Sequence, residues 1–468
     1  MRDMCQADYD ALIAPTGDPF VDAGGFVLEK LSQLFPEKDI LELIMWVTDI
    51  YVDKWNAGLN ALFLNSKITQ PSFKEQRKKE ETRRYFQDLL DDKQCHEIGF
   101  CRITGRKVKL FAAGRDNSVL TGSRKFANFH HGFDAGIMLS KEVLIKYHFL
   151  PLACESLLGH ICVISSNNVN TSRMYATNCL ERNLANISKG VSDGILKNKS
   201  RSAGTALFRF LDQVFVNYSQ EGYGESMTLY HFTNFGASPD MQMFVLPFPV
   251  FRFYRETQNR KYKESWNRFV AHYYRTKDYK KFEYDDASTF IQVTDKNNRQ
   301  IEISQQEYGY WTNAIYNKLL LGNSIVCDIR KWSEEKEFDL MLLFDYLLNI
   351  RNMKRETIEK INQIADFILQ IHSDLSIGKL LTRLNGIKSA YLLRRFILKI
   401  VEENYKQGNE LPIITVQEYT DYLFPDTSLW SETRDILLIC LYQKLHEKNI
   451  HVEVEDGDDD NDFVDDND

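Results

Sequence analysis

The residues best suited to chemistry lie in a basic, glycine-rich stretch that carries two pairs of cysteines, residues 95–163. Glycine lets backbone N–H groups approach an anion, while lysine and arginine supply positive charge. From Cys101 to Lys125 this stretch contains only one acid, Asp116. The sequence therefore predicts phosphate contacts by Arg106, Lys107, Lys109 and Lys125.

Amide side chains in and after this stretch have the groups needed to read base edges. Asparagine both donates and accepts hydrogen bonds, and arginine recognises bases in the major groove. Asparagine is also common in turns for local reasons, and a charged loop is also typical of a solvated surface, so these alternatives stay open. The predicted motif-reading residues are Arg115, Asn117, Arg124, Asn128, Asn167, Asn168, Asn170 and Arg173.

Further cations follow in the second half of the chain. Residues 251–281 contain ten Lys or Arg against three acids, with aromatic residues between them. Rings and cations together bind single-stranded nucleic acid, whereas an amphipathic helix with core aromatics would have the same pattern. The predicted strand-binding residues are Lys197, Lys199, Arg201, Arg252, Arg255, Arg260, Lys261, Lys263, Arg268, Lys379, Arg383, Arg394 and Arg395.

The cysteines of the central stretch raise the question of zinc. A site would need Cys95, Cys101, Cys154 and Cys162, but Thr104 stands where a C-x-x-C knuckle requires its second cysteine. We therefore expect buried or unpaired thiols, with neither a metal nor another cofactor.

A second metal chemistry would use His130, His131 and Asp134, which are close enough in sequence to serve a metal-dependent nuclease acting on DNA or RNA. That enzyme is the alternative function. No P-loop, G-x-S-x-G or H-E-x-x-H motif accompanies these residues. The sequence therefore favours a protein that is not an enzyme.

The length and charge of the chain indicate how many domains position these residues and where its acidic residues lie. The 468 residues, 43% of them hydrophobic, predict a folded protein of two or three domains. The net charge of −8 arises from residues 453–468, which hold ten acids and no base. Because there is no apolar run of 18 residues and the N-terminus is charged, we expect a soluble, cytoplasmic chain without contact to a membrane.

The pattern of apolar residues predicts an α+β fold. A mixed N-terminal body of residues 1–335 contains the cysteine-turn and basic-loop region 95–163, and an antiparallel helical bundle follows at 336–452. Apolar residues recur there at intervals of three and four, the spacing of amphipathic helices. The acidic tail, 453–468, is expected to be disordered because it repels itself and has little to bury.

Three segments carry a resemblance to a known family. They are TGDPFVDAGG at 16–25, CRITGR at 101–106 and FDAGIMLSKEVLIKYHFLPLA at 133–153. Together they resemble the large subunit of a type I-B CRISPR Cascade complex, of the family named for two CXXC motifs. The resemblance covers residues from about 10 to 165, and this chain departs from the family in its degenerate cysteine motifs.

The resemblance implies a non-catalytic large subunit in antiviral defence. Such a subunit recognises the target-flanking motif (PAM) in double-stranded DNA, aids R-loop formation and recruits a helicase-nuclease. Its partners would be the guide RNA with the other Cascade subunits, the target DNA and that effector. The C-terminal helices would then be a small-subunit-like bundle that lies along the displaced strand.

Overall fold

The computed structural model describes most of the chain with side chains. The described residues are 8–55, 58–121, 137–217, 225–236, 239–285, 287–372, 374–425 and 429–450. The α-helices are α1 (Tyr9–Ile13), α2 (Pro19–Leu34), α3 (Ile40–Asp49), α4 (Glu75–Leu90), α5 (Lys141–Phe149), α6 (Val169–Ser188), α7 (Ala203–Asn217), α8 (Phe248–Thr257), α9 (Lys263–Ala271), α10 (Gln305–Tyr308), α11 (Ala314–Leu321), α12 (Val326–Ser333), α13 (Leu340–Asn349), α14 (Arg355–Ile371), α15 (Asp374–Asn385), α16 (Ala390–Lys406), α17 (Val416–Glu418) and α18 (Trp430–Glu447).

The strands are short and concentrated in the first two thirds of the chain. They are β1 (Glu97–Phe100), β2 (Lys107–Ala113), β3 (Ile137–Leu139), β4 (Glu155–Leu157), β5 (His160–Ser166), β6 (Leu196–Lys197), β7 (Met227–Thr233), β8 (Asp240–Leu246), β9 (Tyr274–Arg275), β10 (Lys280–Tyr284), β11 (Phe290–Thr294), β12 (Gln300–Ser304) and β13 (Thr312–Asn313). The predicted α+β fold, a mixed body followed by a C-terminal helical region, is confirmed. No helix within the described ranges is both long and apolar enough to cross a bilayer.

Contacts divide the chain into two compact units. Unit 1 comprises Met1–Phe248 and Gln306–Tyr316, and unit 2 comprises Pro249–Gln305 and Asn317–Asp468. Unit 1 contains a five-stranded sheet of order β6-β4-β5-β7-β8, in which β4 and β6 are parallel and the other neighbours antiparallel. Helix α6 packs on β5 of this sheet and on α2.

Helix α2 begins at Pro19, where the side chain of Asp18 caps its first turn. The Asp18 carboxylate accepts hydrogen bonds from the amides of Phe20 (3.0 Å) and Val21 (2.8 Å), and Pro19 occupies the first helical position. These contacts satisfy N–H groups that the first turn leaves without a helical partner. Asp22 accepts from the Thr16 hydroxyl at 2.7 Å. Asp18 therefore caps the helix, and Asp22 holds the preceding loop against its first turn.

Unit 2 begins with α8 and α9, continues through the β10-β11-β12 meander and ends with helices. Helix α18 is buried on every side because α12, α14, α15 and α16 pack around it. The helices predicted after residue 339 are present as α13–α16 and α18. Gly408, with φ of +76°, follows the end of α16 and adopts the left-handed conformation with which many helices stop.

Most of the interleaved aromatic residues of 251–281 are buried in the core of unit 2. Phe253 and Trp266 are fully buried, and their ring centroids lie 5.4 Å apart in an edge-to-face arrangement. Phe253 also contacts Tyr346 of α13 at 5.4 Å. Of the two interpretations of this segment, the structure supports amphipathic helices with core rings. These contacts also explain why unit 2 starts at Pro249, ahead of the predicted boundary at 335/336.

Candidate nucleic-acid interface

Strands β1 and β2 form a hairpin that carries predicted phosphate-binding cations. Arg106 pairs with Asp8 at 2.9 Å and Lys109 with Asp92 at 2.8 Å, and both cationic side chains are more than half exposed. Lys107 is exposed at the start of β2. Exposed ion pairs are weak, so phosphate can compete with these carboxylates.

The described part of the central loop uses its predicted motif-reading residues to hold the fold. Arg115 donates hydrogen bonds to the carbonyl oxygens of Asn234 and Gly236, the latter at 2.9 Å. Asn117 donates to the Tyr85 hydroxyl at 2.8 Å. These interactions turn both side chains toward the protein, because a buried or half-buried polar group must find its hydrogen bonds there.

Several predicted residues of this loop lie outside the described residues. They are the motif-reading pair Arg124 and Asn128, the phosphate-binding Lys125, and the nuclease candidates His130, His131 and Asp134.

The asparagine cluster surrounds the N-terminus of α6. Asn168 is the N-cap: its carboxamide oxygen accepts from the Asn170 amide at 3.0 Å, and its nitrogen donates to Glu225 at 2.6 Å. Asn167 is exposed, and its side-chain oxygen accepts from the Ser226 amide at 3.0 Å. The turn interpretation therefore describes Asn168, whereas Asn167 and Asn170 keep exposed side chains beside the cap.

Arg173 lies one turn further along α6 and points back to α2. It forms an ion pair with Glu29, and its guanidinium lies over the Phe26 ring, 4.8 Å from the centroid. Both contacts tie α6 to α2. The structure thus separates Arg173 from the exposed asparagines with which the sequence grouped it.

Residues 101–106 keep the tight turn of a zinc knuckle, although Thr104 stands in place of the second cysteine. The amide of Gly105 donates to the Cys101 carbonyl at 2.9 Å, and the Ser140 amide donates to the Cys101 sulfur at 3.4 Å. Burial raises the pKa of the Cys101 thiol, but hydrogen bonds from Thr104, Ser140 and Ile103 outweigh burial and leave that pKa below its ordinary value. Thr104 therefore replaces the second cysteine with a hydrogen-bond donor to the first.

The other cysteines are separated from this knuckle. Cys95 precedes β1, and its thiol donates to the Glu97 carbonyl at 3.4 Å. Cys154 and Cys162 are fully buried by β4 and β5, where burial raises the pKa of both thiols and so disfavours the thiolate that binds zinc. Among the described residues, no three His, Cys, Asp or Glu side chains are placed to hold one metal ion.

A polar cleft of about 330 Å3 in unit 1 brings together residues that the sequence places far apart. Helix α6 forms one wall and α7 another, and the segment through β6 closes the third side. The cations that line it are Arg182, Lys197, Lys199 and Arg209.

A buried carboxylate anchors the base of this cleft. Glu155 accepts from Arg182 at 2.5 Å and from the Asn198 amide at 2.7 Å. The two donors satisfy both carboxylate oxygens, as a buried anion requires. The charge of Glu155 is therefore already compensated within the fold.

Tyr310 forms a platform under two cations at the cleft. The guanidinium carbon of Arg209 lies 3.7 Å from the ring centroid and the Lys199 ammonium 5.9 Å from it. Lys197 pairs with Asp193 at 2.8 Å. Neither Lys199 nor Arg209 has an ion pair with any carboxylate in the described part of the chain. Two uncompensated cations on one ring attract an anion.

Sequence reasoning identified only part of this cleft. It named Lys197 and Lys199, and it named Arg201, which is exposed at the end of the same segment. It missed Arg182 and Arg209, although Asn178 and Arg182 on α6 and Arg209 and Gln213 on α7 each have the four-residue spacing of one helical face. Periodicity could have shown these faces, but nothing local indicates that they meet.

Unit 2 presents the remaining predicted cations on two surfaces. On α8, α9 and the turn between them, five are exposed and Arg255 is half-buried. The exposed ones are Arg252, Arg260, Lys261, Lys263 and Arg268. Because most rings of these helices face inward, the outer side is left mainly to the cations. We call this surface the α8–α9 face.

The second surface lies on α15 and α16. Lys379 and Arg383 are exposed one turn apart on α15. Arg394 and Arg395 on α16 are half-buried, with their guanidinium groups 5.2 Å from the Phe424 ring and 5.7 Å from the Tyr391 ring. The α15 pair is therefore better presented to a phosphate than the α16 pair.

Comparison with known protein families places the C-terminal helices beside a described domain. Residues 330–467 match the family model of the DevT C-terminal domain. The matched segment runs from within α12 through α18, less than a third of the chain. No curated protein and no solved structure matches the chain. DevT is a Cascade-associated protein.

Proposed function

We propose that this chain is a non-catalytic, nucleic-acid-binding subunit of an RNA-guided CRISPR surveillance complex, the large subunit of a type I-B-like Cascade. The match of its C-terminal helices to the DevT C-terminal domain is the observation that carries the proposal. The resemblance of residues 10–165 to the large-subunit family points the same way from the opposite end of the chain.

The distribution of charge supports contact with nucleic acid through its backbone. The α8–α9 face offers exposed cations on helices whose rings are mostly buried, which suits phosphate better than stacked bases. In an RNA-guided complex the guide selects the sequence by base pairing, so a protein subunit needs many phosphate contacts and few base contacts. The exposed lysines and arginines of the α8–α9 face are suited to such phosphate contacts.

Recognition of the flanking motif in double-stranded DNA is assigned to the N-terminus of α6. Asn167 and Asn170 are exposed there, while Asn168 fixes the helix start beneath them. Amides at a rigid helix end are suitable for hydrogen bonds to base edges. R-loop support and recruitment of a helicase-nuclease belong to the same proposal, with guide RNA and further Cascade subunits as partners.

Co-purification tests the proposal. The tagged chain, expressed with its neighbouring genes, is expected to recover a multi-subunit particle with a small guide RNA. Mass spectrometry and RNA sequencing read out the particle. A lone chain without RNA would contradict the proposal, and a Mg²⁺ or Mn²⁺ cleavage assay would then test the nuclease alternative.

Variants separate DNA binding from assembly. Replacing Arg260, Lys261 and Lys263 by Gln is expected to leave the particle intact and weaken its binding to DNA, with a shallower salt dependence. Replacing Lys54, Lys67 and Lys189, which lie in unit 1, by Gln is the matched control for lost charge. Equal binding by both triple variants would refute a role for the α8–α9 face.

A further inference from the structure

The cleft of unit 1 has an unusual balance of charge. Its lining holds four cations, Arg182, Lys197, Lys199 and Arg209, and Glu155 as a carboxylate. Arg182 already compensates Glu155 and Asp193 already compensates Lys197. Lys199 and Arg209 remain without ion pairs among the described residues, and both lie over the ring of Tyr310.

The size and polarity of the cleft restrict its ligand. A volume of about 330 Å3 lies at the lower end of the range for small-molecule sites, roughly 300–1,000 Å3. Asn178 and Gln213 face each other across the rim, with their side-chain nitrogen and oxygen 3.5 Å apart. A contact at that length is weak, so Asn178 can exchange it for a ligand without a large loss. The cleft therefore offers anion-binding cations and amide groups side by side.

We propose that this cleft binds one phosphorylated nucleotide, with its phosphate at Lys199 and Arg209 and its sugar or base edge at Asn178 and Gln213. The anion would neutralise the two cations that the fold brings together on Tyr310. Two sources of this ligand share the same chemistry: the 5′-terminal nucleotide of a single strand, and a free nucleotide. Only the first source rests on the proposed function.

Fluorescence anisotropy with the full chain distinguishes the sources. The probes are a 3′-labelled oligonucleotide with a 5′-phosphate, its 5′-hydroxyl twin, and free adenosine monophosphate as competitor. We expect the 5′-phosphate strand to bind more tightly than its twin, and adenosine monophosphate to displace it. Lys199→Gln and Arg209→Gln should each weaken this binding roughly tenfold.

Control variants distinguish loss of the binding site from a general loss of positive charge or of packing. Lys189→Gln removes an exposed cation near the end of α6, outside the cleft lining, and should change nothing. Because Arg209 packs on Tyr310 at 3.7 Å whereas the exposed Lys199 lies 5.9 Å from that ring, Lys199→Gln is the variant that loses less packing. Circular dichroism confirms that each variant is folded.

The possible results distinguish failure of the nucleotide site in the cleft from failure of the proposed function. Strand binding that is unchanged by both cleft variants would overturn the cleft site and leave the proposed function to other surfaces. Adenosine monophosphate binding that the variants abolish, without any strand binding, would support the cleft and count against the proposed function. If wild-type protein binds none of the probes, the nucleotide site is overturned.

Discussion

A close contact between α2 and α5 gives the sharpest test of the fold of unit 1. Gly24 of α2 lies directly on the backbone of Lys146 in α5. A Cβ atom added at Gly24 would stand 2.0 Å from the Lys146 carbonyl oxygen and 3.2 Å from the Leu150 amide nitrogen. At the adjacent Gly25, the closest atoms to an added Cβ would belong to the Lys146 side chain, at 3.2 Å, and the nearest backbone atom, the Leu12 carbonyl oxygen, would lie at an ordinary contact distance of 3.6 Å. The substitutions Gly24→Ala and Gly25→Ala therefore differ in what must move.

The magnitudes follow from these contacts. Alanine favours a helix over glycine by about 1 kcal/mol at either position. At Gly24 the obstacle is backbone, so α2 and α5 must separate by about 1 Å, which places the overpacking cost at the upper end of the usual range, about 3 kcal/mol. We expect a net loss of about 2 kcal/mol for Gly24→Ala. For Gly25→Ala the flexible lysine stem can shift, and we expect stability within about 1 kcal/mol of wild type.

Hydrogen exchange measured by mass spectrometry reads this effect locally. The opening free energy of α2 and α5 peptides should fall in Gly24→Ala and stay near the wild-type value in Gly25→Ala. Peptides of unit 2 serve as the internal reference. Equal protection of α2 in both variants would refute the argument that the two backbones touch at Gly24.

Three further predictions concern a buried titratable group, a helix cap and a core ring. Burial lowers the pKa of His148 to about 3, so His148 stays neutral in the folded protein. The free energy of unfolding should therefore fall by about 1.4 kcal/mol per pH unit as the pH drops from 6.5 toward 3. Urea unfolding at pH 7 and pH 5 should show a smaller fall in His148→Gln than in the wild-type protein. Asn168→Ala should destabilise α6 by about 1 kcal/mol through loss of the N-cap, whereas Asn170→Ala should cost less than about 0.5 kcal/mol in the same assay. Trp266→Ala should destabilise unit 2 by about 3–5 kcal/mol, because the indole is fully buried, while the neighbouring Tyr262→Ala should have little effect on thermal unfolding; similar losses would contradict the core position of Trp266.

Much of the local structure could be predicted because its causes are local. Asp18 with Pro19 begins α2 and Asp39 begins α3, and these residue types favour a helix start wherever the helix packs. The spacing of apolar residues also predicted the C-terminal helices, since a helix repeats every 3.6 residues wherever it packs. The aromatic segment was ambiguous, because burial of Phe253 and Trp266 depends on Tyr346 and other distant residues.

The chain by itself determined where helices start and stop, which faces are apolar and where positive charge accumulates. Only the tertiary structure decided which charged and polar side chains are exposed to solvent and which are held by hydrogen bonds or ion pairs within the fold. Arg115 and Arg173 are held by carbonyl oxygens and a carboxylate far away in sequence. The cleft arises because Glu155, Arg209 and Tyr310 meet through the packing of α6, α7 and the sheet. Such convergence has no local signature, because it depends on long-range packing and not on the spacing of residues along the chain.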